Sequence, residues 1–371
     1  MGWVISRLIP FLPVLFGGAA LQAAAPPDDQ ARFLAGLSSG GAGELAPLEG
    51  EAAWQEHAAA FHRAWVDVED RQLAHIHTWM PLHFPYIQAD PSPLFYFFSG
   101  PDFLYASAFF PNASEYILCG REPVGTLPDV AALSAAARAG ALRNLRHSLN
   151  AILSYSFFIT ADMKSDLANT QLSGTLPVLY LFLARAGCRI TAAELVWLDA
   201  AGDPTQEKSK TPGVRIRFNN HRGVAQTLWY FTTDLSNWGI KDNPAFIEFC
   251  RQRGQGTALV KAASYLMHLD SFSSARGFLL EHSRHILQDD SGIPWRFFNA
   301  ENWMTSLHGH YPGPINLFKQ HFQRDLDTAF KTQSAGPLPF GAGYQWRPNV
   351  SSLIIATARR TVLRAIPVNE E

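Results

Sequence analysis

Between residues 51 and 79, apolar side chains return at roughly helical intervals. Trp54, Phe61, Trp65, Val68 and Ile76 predict one long amphipathic helix closed by Pro81. The pattern then changes. Leu94-Phe95-Tyr96-Phe97-Phe98 is an unbroken apolar run between Pro93 and Ser99-Gly100-Pro101, as in a strand buried on both faces. A short helix is predicted over 102–110, and Glu115-Tyr116-Ile117-Leu118-Cys119 reads as a second buried strand closed by Gly120. The 16 residues between the two strands are enough for a right-handed parallel crossover.

Further along, 130–163 is mostly helical, with Leu142, Leu145, Leu149, Ile152 and Leu153 on one stripe, and 176–186 is an apolar helix ended by Gly187. A strand is expected at 194–198. Residues 213–219 and 226–232 form a hairpin about Asn219-Asn220-His221-Arg222-Gly223. Helices are predicted at 244–253, 258–268 and 273–282, short strands at 285–288 and 295–298, a helix near 317–330 and a last strand at 353–358. The order predicts an α/β fold over 51–371: a single mixed, largely parallel sheet with helices on both faces and an antiparallel hairpin addition. Residues 24–50, rich in Ala, Gly, Ser and Pro around an apolar patch at 33–37, read as a flexible linker or arm.

The first 23 residues carry a different pattern. Arg7 precedes an apolar stretch from Leu8 to Leu21, followed by the small residues Ala23 to Ala25, which is the order of a secretory signal peptide cut after Ala23. The stretch contains Pro10 and Pro13 and is shorter than the roughly 20 residues a span needs. Residues 176–186 are too short as well. No stable membrane span is therefore expected once the signal is removed, and the address is periplasmic or extracellular. The first cysteine is Cys119, so none stands near the cut for a lipid anchor.

Composition adds limits. A hydrophobic share of 47% against 17% charged residues excludes a disordered chain. The net charge of −2 gives no electrostatic basis for nucleic acid as a partner. Cys119, Cys188 and Cys250 are too far apart for a compact zinc knuckle or a Cys-x-x-Cys pair; their apolar settings favour buried thiols over a disulfide.

Four segments carry a resemblance: Phe98-Ser99-Gly100-Pro101-Asp102, the run from Lys261 to His268, Gln288-Asp289-Asp290-Ser291-Gly292-Ile293-Pro294, and the run from Leu338 to Tyr344. They resemble a family of exported bacterial proteins of uncharacterised function. The resemblance implies one domain and a bacterial-envelope address, and gives no residue a role.

The candidate chemistry comes from placement. If the first two strands are parallel neighbours, Asp102 and Glu122 emerge at the same carboxyl edge, where open α/β sheets bind ligands. Each also has an ordinary reading, Asp102 as a helix cap and Glu122 as a surface ion-pair partner. Asp289 and Asp290 occupy a turn-forming sequence and would join a carboxylate cluster only if one faced the same cleft. On the predicted 258–268 helix, Lys261, Ser264 and His268 would share a face. Gly36-Leu37-Ser38-Ser39-Gly40 matches a nucleophile elbow in letters but lacks the preceding strand. His308-Gly309-His310 lacks a nearby third ligand for a metal. No cofactor motif is present. Aromatic residues in turn-rich segments, among them Trp238, Trp303, Tyr311, Tyr344 and Trp346, point towards a small-molecule or glycan ligand. A carboxylate-dependent hydrolase of glycosides or phosphoesters, or an interaction scaffold, are the competing expectations.

Overall fold

In the computed structural model the described residues are 25–40, 43–155, 157, 172–348 and 350–361. The signal-peptide expectation lies outside them. One ten-stranded sheet organises the chain. Its strands are β1 (Leu94–Tyr96), β2 (Glu115–Gly120), β3 (Arg189–Leu198), β4 (Pro204–Thr205), β5 (Thr211–Asn219), β6 (Ala225–Thr232), β7 (Gly256–Val260), β8 (Ser283–Gln288), β9 (Trp303–Gly309) and β10 (Ser352–Ala358), in the order β4-β3-β5-β6-β2-β1-β7-β8-β10-β9. The five central strands from β6 to β8 pair in parallel. The β5/β6 hairpin and β3/β5/β4 extend one side and β8/β10/β9 the other, all antiparallel. The sheet is thus mixed with a parallel centre, and the antiparallel addition is larger than one hairpin.

The helices are α1 (Pro27–Leu34), α2 (Ala52–Val68), α3 (Ala74–His83), α4 (Pro85–Gln88), α5 (Phe103–Phe109), α6 (Ala135–Tyr155), α7 (Leu176–Arg185), α8 (Asn237–Asp242), α9 (Ala245–Gln252), α10 (Ser273–His282) and α11 (Arg324–Thr332). Alternate strand residues separate into two cores, as period-two geometry requires. Leu94, Tyr96, Tyr116, Leu118 and Leu259 join a cluster with side chains of α1 to α3 and α5 to α7. Phe95, Ile117, Cys119, Ala258 and Val260 join another with α9 and α10. Burial on both sides explains why the central strands are continuous apolar runs.

Several expectations are corrected. The 258–268 helix does not exist: β7 occupies its first residues, and only Leu266–His268 form a 3-10 turn. In β7 every residue is buried, so Ala-Leu-Val fills a central strand whatever its helix propensity. Trp295–Phe297 form a 3-10 turn rather than a strand, and the last strand lies between β8 and β9. The long first helix does not end at Pro81, which lies inside α3. It is instead interrupted by a π-helical stretch, Glu69–Leu73. That interruption turns Gln72 inwards, where its amide donates to the Trp346 carbonyl (3.0 Å) and accepts from Gly341 N–H (2.8 Å). The described residues of the segment read as a linker, 25–40 and 43–50, are not a loose arm. Phe33, Leu34 and Ala35 are fully buried. Gln30 caps Val130 N–H at 3.0 Å, Asp28 accepts from Ile190 N–H at 2.8 Å, and His57 contacts the Leu34 carbonyl at 2.8 Å. The three cysteines are free thiols.

Burial holds the imidazoles of His57, His285 and His308 down to about 4 from the ordinary 6.5. A histidine with a depressed folded pKa contributes its full stability above about 6.5 and loses it as pH falls towards 4. Each is worth on the order of 3 kcal/mol across that window. Asp289 and Asp290, whose carboxyls burial raises, act in the opposite sense. NMR titration isolates the histidine effect: all three rings are expected to remain neutral at pH 5, where a solvated imidazole is charged.

Candidate functional site

Counted in chain order, the five parallel strands are arranged 3-2-1-4-5, with β1 at the centre. The chain winds outwards through β2 and β6, then crosses to β7 and β8 on the other side of β1. The switch point is therefore between the carboxyl ends of β1 and β7, where sheets of this kind form their ligand crevice. A cavity of about 480 Å³ opens there, lined by the segments following β1, β2, β6 and β7 and by Tyr344.

Two of the anticipated carboxylates line it. Asp102, 2% exposed, caps α5 by accepting from Tyr105 N–H (3.1 Å). Its other oxygen accepts from Tyr96 O–H (2.7 Å) and pairs with Lys261 Nζ (3.1 Å), itself 4% exposed. Asp102 is thus the helix cap expected of it, and it also carries an ion pair of the kind expected of Glu122 instead. The ammonium of Lys261 also lies 4.2 Å from the Tyr105 ring centroid.

Glu122 is held differently. Its backbone carbonyl accepts from Tyr230 O–H (2.9 Å) and Thr232 O–H (2.7 Å), which fixes the chain just past β2. Its carboxylate, on a residue only 5% exposed, folds back over Gly120, where a Cβ would collide with it and would lie 3.2 Å from the Gly100 Cα. Among the described residues its carboxylate has no cation within salt-bridge distance. Its hydrogen-bond contact is one long approach by Tyr230 O–H, at 3.4 Å. The adjacent Arg121 is directed instead to Asp234, 2.6 Å away at the cleft mouth.

Asp289 and Asp290 do not line the cleft. They hold the loop that does. Asp289 accepts from Ala262 N–H (3.1 Å) and, through its other oxygen, from Ser291 N–H and O–H. Ser291 Oγ accepts from Ala263 N–H at 2.8 Å. Asp290 accepts from Tyr265 O–H at 2.6 Å. Burial pushes both carboxyls above the ordinary carboxylate range; the Ser291 and Ala262 donors pull Asp289 back, while the charge of Asp289 adds to the rise at Asp290. Tyr344 completes the clasp, donating to the Ala262 carbonyl at 3.0 Å and meeting Ser264 Oγ at 2.9 Å.

The clasp accounts for an unusual backbone. Phe98, Ala262, Ser264 and Tyr265 are the non-glycine residues with positive φ among those described, at 51° to 59°. All four follow β1 or β7, on either side of the switch point. Such conformations cost of order 1 kcal/mol or more each and survive only where the surroundings over-determine them, which is typical of ligand sites.

His268 is off the cleft, its ring edge-on to Tyr265 at 5.1 Å, and burial lowers it to about 4. It shares no helix face with Lys261 or Ser264. His308 is a buried residue of β9 rather than part of a loop, and no cluster of three metal-ligating side chains occurs among the described residues. Of the aromatic residues singled out, Trp303 and Tyr311 are core and Trp238 is 75% exposed. Sequence reasoning missed Tyr96 and Tyr230, buried phenols that hold the Asp102 carboxylate and the Glu122 backbone carbonyl. Their only signal was a hydroxyl inside an otherwise apolar strand.

Fold and site together define a doubly wound α/β protein with a switch-point cleft. No protein-family model, curated protein or solved structure matches the chain.

Proposed function

We propose that the protein is an exported envelope protein that binds a small molecule in the cleft between β1 and β7. The supporting observation is the coincidence, at one topological switch point, of the cavity with the four left-handed residues and the buried Asp102–Lys261 pair. Aromatic walls from Phe98, Phe272 and Tyr344 suit a planar ring or the face of a sugar. A carboxylate hydrolase is less well supported. Asp102 is committed to a helix cap and an ion pair, and Asp289 and Asp290 to loop support, which leaves Glu122 without a second free carboxyl for acid–base work.

Two measurements test the two halves of this reading. N-terminal sequencing of the protein recovered from a bacterial envelope fraction is expected to start at Ala24; a chain retained in the cytoplasm with Met1 intact would refute export. A thermal-shift screen against metabolites and short saccharides is expected to give stabilising compounds. Their effect should be lost in Thr233→Trp, which fills the cleft at a residue whose side chain makes no hydrogen bond among the described residues. Compounds that stabilise both forms equally would place binding elsewhere.

A further inference from the structure

Resting on that cleft reading, we infer that its ligand is a phosphate-free ribonucleoside whose ribose hydroxyls are held by Glu122. The argument starts from an unmet need. A carboxylate removed from water requires donors, and leaving it without them is costly. Glu122 is nearly buried, lines the cavity and, among the described residues, has for its carboxylate a single long hydrogen bond from Tyr230. Asp102 in the same wall is fully engaged by Tyr96, Tyr105 and Lys261. A vicinal diol supplies two donors to one carboxylate, which is what Glu122 lacks.

Placement agrees. In sheets of the 3-2-1-4-5 order, an acidic residue about 20 positions beyond the first turn glycine, at the end of the second strand, receives the ribose hydroxyls. Glu122 follows Gly100 by 22 residues and stands just after β2. Gly100 and Gly120 pack closely against each other beside its carboxylate, so a sugar would lie on the cavity side of Glu122. A base attached to that sugar would extend over Thr233 to Ser236, after β6, and the 5′ substituent would point towards Asp102 and Lys261.

The same surroundings reject phosphate. The loop after β1 has one glycine where a pyrophosphate cradle has three, and the first helix begins with the Asp102 carboxylate on its N-terminal donors. The lining carries the acids Asp102, Glu122 and Asp234 against the bases Arg121 and Lys261, both already paired. A neutral or cationic 5′ group suits this wall, and an anionic one does not.

Calorimetry on the full mature chain tests the inference, with adenosine, 2′-deoxyadenosine, AMP and S-adenosylmethionine as probes. Adenosine or S-adenosylmethionine is expected to bind, with a tenfold or greater loss for 2′-deoxyadenosine and for AMP. Glu122→Gln is expected to weaken adenosine tenfold or more and the 2′-deoxy form, which keeps only one of the two hydroxyls, by clearly less, a difference that general unfolding cannot imitate. Equal binding of adenosine and 2′-deoxyadenosine would overturn the inference. Failure of all four probes, alongside non-nucleoside compounds that bind the wild type but not Thr233→Trp, would also overturn it and leave the cleft reading standing. If no compound of either kind binds, both readings fall.

Discussion

Lys261→Met is expected to destabilise the fold by about 3–5 kcal/mol, the cost of leaving a buried charge without its partner. Asp102 is 2% exposed, and the ammonium of Lys261 is its cation at 3.1 Å. Tyr96 and Tyr105 continue to donate to it, but two neutral hydrogen bonds do not replace a full charge. Lys261 also offsets the burial of Asp289, so its loss is felt on the β7 loop as well. In the double variant with Asp102→Asn the orphaned charge is gone, and the combined loss should fall short of the summed single losses by about 2 kcal/mol. Urea unfolding of the four proteins at pH 7 gives these numbers. A cost below about 1 kcal/mol for Lys261→Met would put the pair among surface-like bridges and contradict its place in the cleft wall.

Gly343→Ala has the second large expected effect, also about 3–5 kcal/mol. Two costs add: the left-handed conformation at φ 65° disfavours any Cβ, and the added methyl would run into the Asp289 carboxylate. Asp289 cannot retreat, because both its oxygens hold the loop at Ala262 and Ser291. Gly223→Ala provides the control. Its φ is 79°, but nothing lies within 4 Å of the new methyl, so only the conformational cost of about 1 kcal/mol applies. Comparable losses in the two variants would mean that the Asp289 clasp yields, and that the strained residues beside the cleft are not held by it.

The parallel centre of the sheet was legible in the sequence because burial on both faces writes an unambiguous pattern. Residues 94–98 and 115–119 are apolar without interruption, and their turn residues fix where each strand ends. From that pairing alone, Asp102 and Glu122 followed as neighbours on one edge. The same reasoning failed at 258–268, where a buried strand and a buried helix give the same apolar density and only long-range pairing with β1 and β8 decides. The described part of the segment 25–50 was misread for a related cause: its composition is that of a linker, but Phe33, Leu34 and Ala35 are buried and the Gln30 and Asp28 side chains accept from the Val130 and Ile190 backbone N–H groups. The roles of Asp289 and Asp290 were out of reach as well. They act by holding a loop 25 to 27 residues earlier, and no local spacing records that.

The central claim is that the switch-point cleft is the ligand site, and crystals soaked with a chemically diverse fragment library test it most directly. Fragments are expected to gather against Glu122, Tyr344 and the loop after β7. Fragments that collect instead in the separate cavity between α2 and α5, lined by Trp65, Phe103 and Cys188, with the switch-point cleft empty, would contradict the account.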